Sequence, residues 1–308
     1  MRNTSLNKVH ELAKHDPRVV FIGSDLGHGT LKAMKAEMPE RFFMEGVAEQ
    51  NIIGMAAGMA LDGLIPYVNT IAPFITRRCY EQVAVDLCVH NLPVRLIANG
   101  GGVVYAPLGP THLAIEDFAI LRPLPNMAVV AVSDAEEMKR LMDASLDWPG
   151  PLYIRLAKGG DPVVSSPSDD FRIGKAILRR EPGRVLMVST GATTHRCLQA
   201  AESLAAAGIE SGVLHMHTIK PLDGEALRRL VPGRDLLVTV EEHLLAGGLG
   251  SAVLECLVDG GISLPKVLRL GIPDAFTKEY GSQDTMFDTF GLTADKIAAS
   301  VRAALSPG

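Results

Sequence analysis

The chain has 308 residues and a formal net charge of −5, with 47% hydrophobic and 21% charged residues. This is the balance of a soluble globular protein that is long enough for two domains, each with its own core. The acidic balance argues against a nucleic-acid-binding surface, and no apolar run has the length of a membrane span. The first residues carry no apolar segment of a signal peptide, so we expect a cytoplasmic protein.

Four cysteines are widely spaced in apolar-rich segments and form no Cys-x-x-Cys pair. They are Cys79, Cys88, Cys197 and Cys256. This spacing favours reduced, buried thiols over disulfides or metal ligands. The sequence also has no phosphate-binding loop, zinc cluster or nucleophile elbow, and we predict no metal site made by this chain.

Strands and helices alternate along the first 160 residues. The patterns predict strands at 19–22, 42–47, 65–68, 94–98, 128–132 and 152–156. They predict helices at 4–15, 49–61, 78–90, 114–121 and 134–146, the last capped by Ser133. Such alternation is typical of a parallel sheet with helices on both faces.

The alternation lapses in a segment rich in Gly, Pro and Ser and then resumes. The second half carries predicted strands at 185–189, 212–217, 236–240 and 266–270, and helices at 194–207, 224–230, 249–259 and 293–305. We therefore predict an α/β protein of two consecutive, mostly parallel-sheet, three-layer domains. Their predicted bounds are 1–160 and 173–308, with a linker at 161–172.

Glu49 is the most informative acidic residue, because it begins a helix that has no other charged residue before Asp62. The helix N-terminus stabilises a carboxylate, whereas burial among apolar neighbours opposes its charge. Taken alone, a first-turn Glu that satisfies backbone donors is the simpler interpretation. On the same helix, Gly54 and Gly58 leave one smooth face that suits the close approach of another helix.

Other candidate residues lie in loops after predicted strands, at the ligand-binding edge of a parallel sheet. Asp25 and His28 follow the first strand, and the simpler interpretations are a turn cap for Asp25 and a solvated side chain for His28. His112 lies on the constrained loop Gly109-Pro-Thr-His112, where it either transfers protons or is structural. Phe74 lies in a connection, where it either fills the loop or stacks on a ring ligand.

Five motifs occur in a fixed order along the chain. They are Gly-Ser-Asp-Leu at 23–26, Glu-Gly-Val-Ala-Glu-Gln at 45–50, Phe74 with Arg-Cys-Tyr-Glu-Gln at 78–82, Gly-Pro-Thr-His with Ile-Glu-Asp at 109–117, and Glu-Glu-His-x-x-x-Gly-Gly-Leu-Gly at 241–250. Together they resemble the C-terminal half of transketolases, in the form in which the enzyme is split into two chains. The resemblance covers a pyrimidine-binding domain at 1–160 and a C-terminal domain at 173–308.

This resemblance implies roles around thiamine diphosphate. Glu49 matches the glutamate that hydrogen-bonds the aminopyrimidine ring and thereby activates the cofactor. Phe74 matches an aromatic side chain that stacks on the pyrimidine, and Asp25 an acidic residue near the cofactor. His112 matches the histidine that contacts the substrate and moves protons there. The implied reaction is the transfer of a two-carbon ketol unit from a ketose to an aldose.

The sequence departs from the family at several of these positions. Ile71 and Arg77 stand where further aromatic residues surround the pyrimidine. Lys158, with Arg155 nearby, stands where the family has a phosphate-binding arginine, and a lysine binds phosphate without the bidentate fork. Ile71 and Arg77 thus join the candidate cofactor contacts. The candidate substrate contacts are His28, His112, Lys158 and Arg155. The departures keep open a modified or nucleotide-linked sugar as the acceptor.

The chain lacks the Gly-Asp-Gly motif with a later Asn that binds Mg²⁺ and diphosphate in thiamine diphosphate enzymes. The resemblance therefore implies a partner subunit that supplies this domain and holds Mg²⁺, in a family-like α2β2 heterotetramer. The face with Gly54 and Gly58 is a candidate interface. The alternatives are the beta subunit of a 2-oxo acid dehydrogenase, a deoxyxylulose-phosphate-synthase-like enzyme, and a non-catalytic scaffold subunit that keeps the fold.

Overall fold

Parallel strands covered by helices build both halves of the chain in the computed structural model, which describes residues 1–27, 29–278 and 280–306. His28, one of the candidate substrate contacts, lies outside the described residues. The strands are β1 Val19–Gly23, β2 Phe42–Met44, β3 Ile65–Ile71, β4 Arg95–Asn99, β5 Ala128–Ala131, β6 Leu152–Arg155, β7 Ile177–Arg180, β8 Val185–Ser189, β9 Ser211–His215, β10 Thr218–Lys220, β11 Leu236–Leu244 and β12 Lys266–Ile272.

The helices include several of a single turn. They are α1 Arg2–His15, α2 Lys32–Glu37, α3 Glu49–Leu61, α4 Ala72–Ile75, α5 Tyr80–Gln82, α6 Asp117–Leu121, α7 Ala135–Leu146, α8 Thr193–Ala206, α9 Gly224–Leu230, α10 Leu249–Asp259, α11 Gln283–Thr289 and α12 Ala294–Leu305. Among the residues that the structure describes, none of the helices combines the length and apolar character that a membrane span requires.

The first sheet has the strand order β10-β5-β6-β4-β3-β1-β2, and only β10 runs antiparallel to its neighbour. Its strands are buried on both faces, since apolar side chains of α1 and α7 pack on one face and those of α3 on the other. The second sheet has the order β12-β11-β8-β9-β7, with α8 and α12 on one face and α9 and α10 on the other. The predicted α/β class with two mostly parallel, three-layer sheets is confirmed.

One strand of the second half belongs to the sheet of the first half. The sequence patterns predict a strand only up to residue 217, but β10 follows it and pairs with β5. The N–H of Ala131 also donates to the carbonyl oxygen of His217. A strand of three residues has too little periodicity to be predicted, and only the fold supplies its neighbour. The predicted boundary at 161–172 stays a prediction. In space, the short strand β10 from the second half lies in the sheet of the first half.

Two predicted helices have a different local structure. Residues 78–90 do not form one helix but a 3₁₀ turn at Arg77–Cys79, then α5, then a π-helix at Val83–Val89. The cap of α7 is Asp134 rather than Ser133, because Asp134 accepts from the N–H groups of Glu136 and Glu137. Ser133 instead donates to the carboxylate of Glu137.

All four cysteines lie within the described residues as free thiols, and Cys79, Cys88 and Cys197 are buried. Burial raises the pKa of Cys79 and of Cys197 to about 12. The three buried thiols are therefore unreactive core residues, as predicted, whereas Cys256 is only partly buried.

Candidate active site

The strand order of the first sheet reverses at β1 and β3, and we call the region at the carboxyl ends of these two strands the crevice. From β1 the chain passes to β2 on one side and then returns to β3 on the other. Open α/β sheets bind their ligands at such a switch point. Glu49 starts α3 here, Asp25 follows β1, and Thr70 lies near the end of β3.

Glu49 is a buried carboxylate held by side chains from the opposite wall of the crevice. It is 2% exposed. The Thr70 hydroxyl donates to Glu49 Oε1 over 3.2 Å, and Arg78 Nη1 donates to Oε2 over 2.7 Å. Ser24 Oγ donates in turn to Thr70 Oγ1 over 2.8 Å. The side-chain donors, together with the first-turn position, stabilise the carboxylate where water is largely excluded.

Phe74 lies in the single-turn helix α4, which directly follows β3, and Arg78 connects it to this carboxylate. The Arg78 guanidinium carbon is 3.7 Å from the centroid of the Phe74 ring. The His112 ring meets Phe74 edge-on, with centroids 5.3 Å apart and an interplanar angle of 64°. Glu49, Arg78, Phe74 and His112 thus form one continuous row of contacts. Arg78 enters the sequence prediction only as part of a motif, because nothing local shows that it faces Glu49.

The loop that carries His112 is fastened at several points. Gly102 and Ala114 form an isolated antiparallel bridge across its base. Arg77 Nη2 donates to the carbonyl oxygen of Thr111 over 2.9 Å, and its other nitrogen pairs with Glu116. Arg77, a candidate cofactor contact, therefore holds the His112 loop rather than covering the Phe74 ring.

The remaining candidate cofactor contacts lie around the same crevice. Asp25 is exposed, and its Oδ1 lies 3.0 Å from Ser24 Oγ, which links it through Thr70 to Glu49. Ile71 is the last residue of β3 and is partly buried beside Thr70. Within the described residues, neither Asp25 nor Ile71 makes a hydrogen bond or ring contact with Phe74.

A cavity of about 500 Å³ lies at the ends of β4 and β6 and is lined by Lys158, Arg2, Tyr105 and Asn99 among others. Asn99 Nδ2 donates to the carbonyl oxygen of Thr70 over 3.1 Å, which joins this cavity to the Glu49 strand. Asn99 is 1% exposed, and its Oδ1 has no hydrogen-bond partner. Across the described ranges, Arg2 and Lys158 have no acidic partner within ion-pair distance. The sequence predicts Lys158 here but not Arg2 or Asn99.

Arg155 was expected beside Lys158 as a substrate contact, but its guanidinium is committed to protein groups. The side chain is 6% exposed, and its Nε lies 3.0 Å from Asp117 Oδ2. Its Nη2 donates to the carbonyl oxygens of Ala114 and Glu242, each over 2.8 Å. Arg155 therefore joins the His112 loop to β11 of the second half.

The Glu-Glu-His motif on β11 is buried between the two halves. Glu242 Oε1 accepts from the N–H of Val103 over 2.8 Å and from Gln283 Nε2 over 2.9 Å. Burial raises the pKa of Glu242 to about 7, although Arg155 opposes this rise. Glu241 accepts from the N–H groups of Leu249 and Gly250 at the start of α10. These carboxyl groups have fixed protein partners, and the cavity that Glu242 lines has a volume of about 10 Å³.

No group of three or more His, Cys, Asp or Glu residues that could hold a metal ion is found in ranges 1–27, 29–278 and 280–306. The candidate site consists of the crevice with Glu49 and of the adjoining cavity lined by Lys158 and Arg2, which we call the cationic cavity.

Comparison with known protein families agrees with this geometry. Residues 1–160 match the family described as "Transketolase, pyrimidine binding domain", and residues 174–297 match "Transketolase, C-terminal domain". The chain belongs to the transketolase family. Its domain content is that of the C-terminal chain of a split transketolase.

Curated relatives of this transketolase chain fall into two groups by length. It is 38% identical over 306 residues to the "6-deoxy-6-sulfo-D-fructose transketolase subunit SqwH" of Clostridium sp. (strain MSTE9), covering 99% of this chain and 93% of that protein. It is 40% identical over 299 residues to the 1-deoxy-D-xylulose-5-phosphate synthase of Thioalkalivibrio sulfidiphilus. That match covers 96% of this chain but 45% of the synthase, so the chain spans about half the length of such relatives.

A solved structure extends the similarity to three dimensions. It is described as "Split gene transketolase, inactive beta4 tetramer" and superposes with a TM-score of 0.88 at 36% identity. The match covers 99% of this chain and 97% of that chain. The two-domain arrangement described above is thus shared along the full length of a split transketolase chain.

Proposed function

We propose that this chain is the pyrimidine-binding subunit of a two-component, thiamine diphosphate-dependent transketolase. The enzyme transfers a two-carbon ketol unit from a ketose donor to an aldose acceptor. The observation that carries the proposal is the buried carboxylate of Glu49 at the switch point, which Arg78 connects to the face of the Phe74 ring. Both belong to one row of contacts with His112.

The residues present fit an aminopyrimidine ring. Such a ring offers a weakly basic nitrogen, which needs an acid partner, and a flat face, which needs an aromatic or apolar surface. Glu49 would hold a proton at the ring nitrogen, Thr70 and Ser24 would orient its carboxylate, and Phe74 would stack on the face. Bound thiamine diphosphate supplies the carbon nucleophile that this chain lacks. His112, on its fastened loop, would hold or move a proton at the substrate.

The adjoining cavity supports a sugar with an anionic end. Lys158 and Arg2 are cations without acidic partners in the part of the chain described, and Asn99 Oδ1 is a buried acceptor without a donor. Two free cations suit a phosphate or sulfonate, and the acceptor suits a sugar hydroxyl. The SqwH relative is named for a sulfonated sugar, and we extend this substrate class, phosphorylated or sulfonated sugars, to this chain.

The diphosphate end of the cofactor requires a second chain. This sequence has no Mg²⁺-diphosphate motif. We propose that a partner subunit supplies that domain and holds Mg²⁺, in an α2β2 assembly. The similar split transketolase chain is described as an inactive tetramer of beta chains, which supports the need for a partner.

The smooth face of α3 is the proposed docking surface for this partner. A Cβ built at Gly54 or Gly58 meets no atom of another element within 4 Å, so the face is open along about one turn. Leu61 at the end of the same helix is 67% exposed. An open face of small residues that ends in an exposed apolar side chain allows another helix to approach closely.

The test is reconstitution with a purified chain that carries the diphosphate-binding domain, thiamine diphosphate and Mg²⁺. Ketol transfer is followed from a ketose phosphate or hydroxypyruvate to an aldose phosphate. We expect transfer from the pair and none from either chain alone. Tight binding of the cofactor by this chain alone would overturn the shared site.

A second candidate is a deoxyxylulose-phosphate-synthase-like reaction, because the similarity to such synthases is as high as 40% identity. The same pair is therefore supplied with pyruvate and an aldose phosphate. Decarboxylation of pyruvate without ketol transfer would favour this candidate. A pair that assembles but performs neither reaction would instead support the scaffold interpretation.

A further inference from the structure

We propose that Arg78 is a latch that closes the cofactor crevice of the free chain and must leave before the aminopyrimidine ring can enter. The inference rests on the proposed function, because it concerns the ring that this function places against Glu49 and Phe74. Its structural part, the closed position of Arg78, is observable in the chain without any cofactor.

Arg78 occupies both groups that the ring requires. Its Nη1 donates to Glu49 Oε2 over 2.7 Å, and its guanidinium carbon lies 3.7 Å from the Phe74 centroid. A planar guanidinium at this distance is in van der Waals contact with the ring face. An aromatic ligand stacked on the same face would need the same volume. Arg78 and the aminopyrimidine therefore exclude each other.

The surroundings of Arg78 allow it to move without loss of the fold. Its side chain is 37% exposed, whereas the Glu49 side chain is 3% exposed. Within the residues described, its guanidinium makes one side-chain hydrogen bond, the one to Glu49. The guanidinium can therefore regain water when it leaves, and the cost of leaving falls on the buried Glu49 carboxylate, which the arriving ring must offset.

The adjacent arginine shows the contrast. Arg77 pairs with Glu116 and donates to the carbonyl oxygen of Thr111, so it is tied to the His112 loop by two partners. Both residues belong to the 3₁₀ turn at Arg77–Cys79, between α4 and α5. Arg77 is therefore held by two partners on the His112 loop, whereas Arg78 can move once its pair with Glu49 breaks.

The latch has a reason in electrostatics. Without Arg78, the Glu49 carboxylate would be a buried anion with one hydroxyl donor from Thr70, which is costly in the absence of a ligand. The guanidinium supplies the missing cation until the cofactor arrives. Its closed population lowers the apparent affinity for thiamine diphosphate in proportion.

The first experiment maps the reaction of phenylglyoxal with arginines of the free chain by mass spectrometry. We expect slow modification of Arg78 in the wild type and several-fold faster modification in Glu49→Gln and in Phe74→Leu, with Arg77 unchanged. Equal Arg78 reactivity in wild type and Glu49→Gln would overturn the latch. This readout needs neither a cofactor nor a partner.

The second experiment measures thiamine diphosphate binding to the two-chain complex by calorimetry. We expect Arg78→Gln to bind about tenfold more tightly, since the variant has no closed state to open. Arg78→Lys keeps the charge but not the planar guanidinium, so its affinity for thiamine diphosphate should lie between those of wild type and Arg78→Gln. If Arg78→Gln fails to fold, Arg78→Lys alone provides the test. The matched control is Arg18→Gln, which removes an exposed ion pair to Asp16.

Weaker binding by both Arg78 variants would overturn the latch and make Arg78 a direct cofactor contact. A wild-type complex that binds no thiamine diphosphate at all would overturn the proposed function instead, and the phenylglyoxal result would still decide whether the closed position exists.

Discussion

Glu49 and Glu242 are two buried carboxyl groups near the carboxyl ends of parallel strands, and they differ in what surrounds them. Glu242 accepts from a backbone N–H and from Gln283, so its partners are fixed parts of the fold. Glu49 has the hydroxyl of Thr70 and the partly exposed guanidinium of Arg78. One of its two partners, Arg78, is partly exposed and also lies over the Phe74 ring. A displaceable partner distinguishes a ligand site from a structural site here, and burial alone does not.

The largest effect is expected from Glu49→Gln. A glutamine keeps the shape and the hydrogen bond from Thr70 but cannot share a proton with a ring nitrogen, so ketol transfer by the reconstituted pair should fall at least about hundredfold. Initial rates of transfer check this. The matched control is Glu242→Gln, which should retain the wild-type rate. A pair with Glu49→Gln that transfers as fast as wild type would contradict the proposed mechanism.

Arg155→Met tests whether the region around Glu242, which Arg155 contacts, has a structural role. The change leaves the buried Asp117 without its cation and two carbonyl oxygens without their donor, and should lower the free energy of unfolding by about 3–5 kcal/mol. Urea unfolding measures the loss. Lys158→Met, at a cation without an ion-pair partner in the described residues, is the control and should change stability by less than about 0.5 kcal/mol. If Arg155→Met leaves stability unchanged but raises KM, Arg155 contacts the substrate instead.

Glu242→Gln also predicts a change in how stability depends on pH. Burial raises the folded-state pKa of Glu242 from 4.5 to about 7, so the folded state keeps the proton to higher pH than the unfolded chain does. Its contribution to stability is therefore present below about pH 4.5 and decreases as the pH rises to about 7. Wild type should therefore lose stability between pH 5 and pH 8, and Glu242→Gln should not. The difference in free energy of unfolding between the variant and wild type should shift in favour of the variant by up to about 3 kcal/mol over this range.

The check is urea unfolding of both proteins at the two pH values. Gln283→Ala at the same two pH values is a control, because it removes a donor to Glu242 without removing the carboxyl group. If Glu242→Gln leaves the pH dependence of stability unchanged, the Glu242 carboxyl group has the same pKa in the folded and the unfolded chain.

The smallest effect is expected at the cationic cavity. Lys158→Ala removes one of two free cations, so KM for a phosphorylated or sulfonated sugar should rise about tenfold while kcat changes little. Steady-state kinetics with the anionic sugar and its neutral counterpart measure the effect. An equal rise of KM for both sugars would mean that Lys158 does not bind the anionic group.

Much of the fold could be predicted because its signals are local. The bounds Glu49–Leu61 of α3 and Leu249–Asp259 of α10 follow from uninterrupted apolar segments between turn residues. The π-helix at Val83–Val89 and the pairing of β10 with β5 have no local signal. Their hydrogen bonds are decided by the sheet and helices around them.

The candidate site divides in the same way. Family motifs indicate Glu49, Phe74 and His112, and the structure brings these three into contact through Arg78. Arg155 and Lys158 are three residues apart in sequence, yet one is buried in an ion pair and the other lines the cavity. Sequence spacing cannot distinguish them, because the side chains of β6 and of the loop after it point into different environments.

By itself, the sequence determined the α/β class, the order of most strands and helices, and the family through its five motifs. These features depend on residue spacing within one element or one loop. The tertiary structure alone decided that Arg78 lies on both Glu49 and Phe74, that Arg2 joins Lys158 across the sheet edge, and that Glu242 is sealed between the two halves. Each of these contacts joins residues distant in sequence, and only the packed chain fixes their distances and their exposure to water.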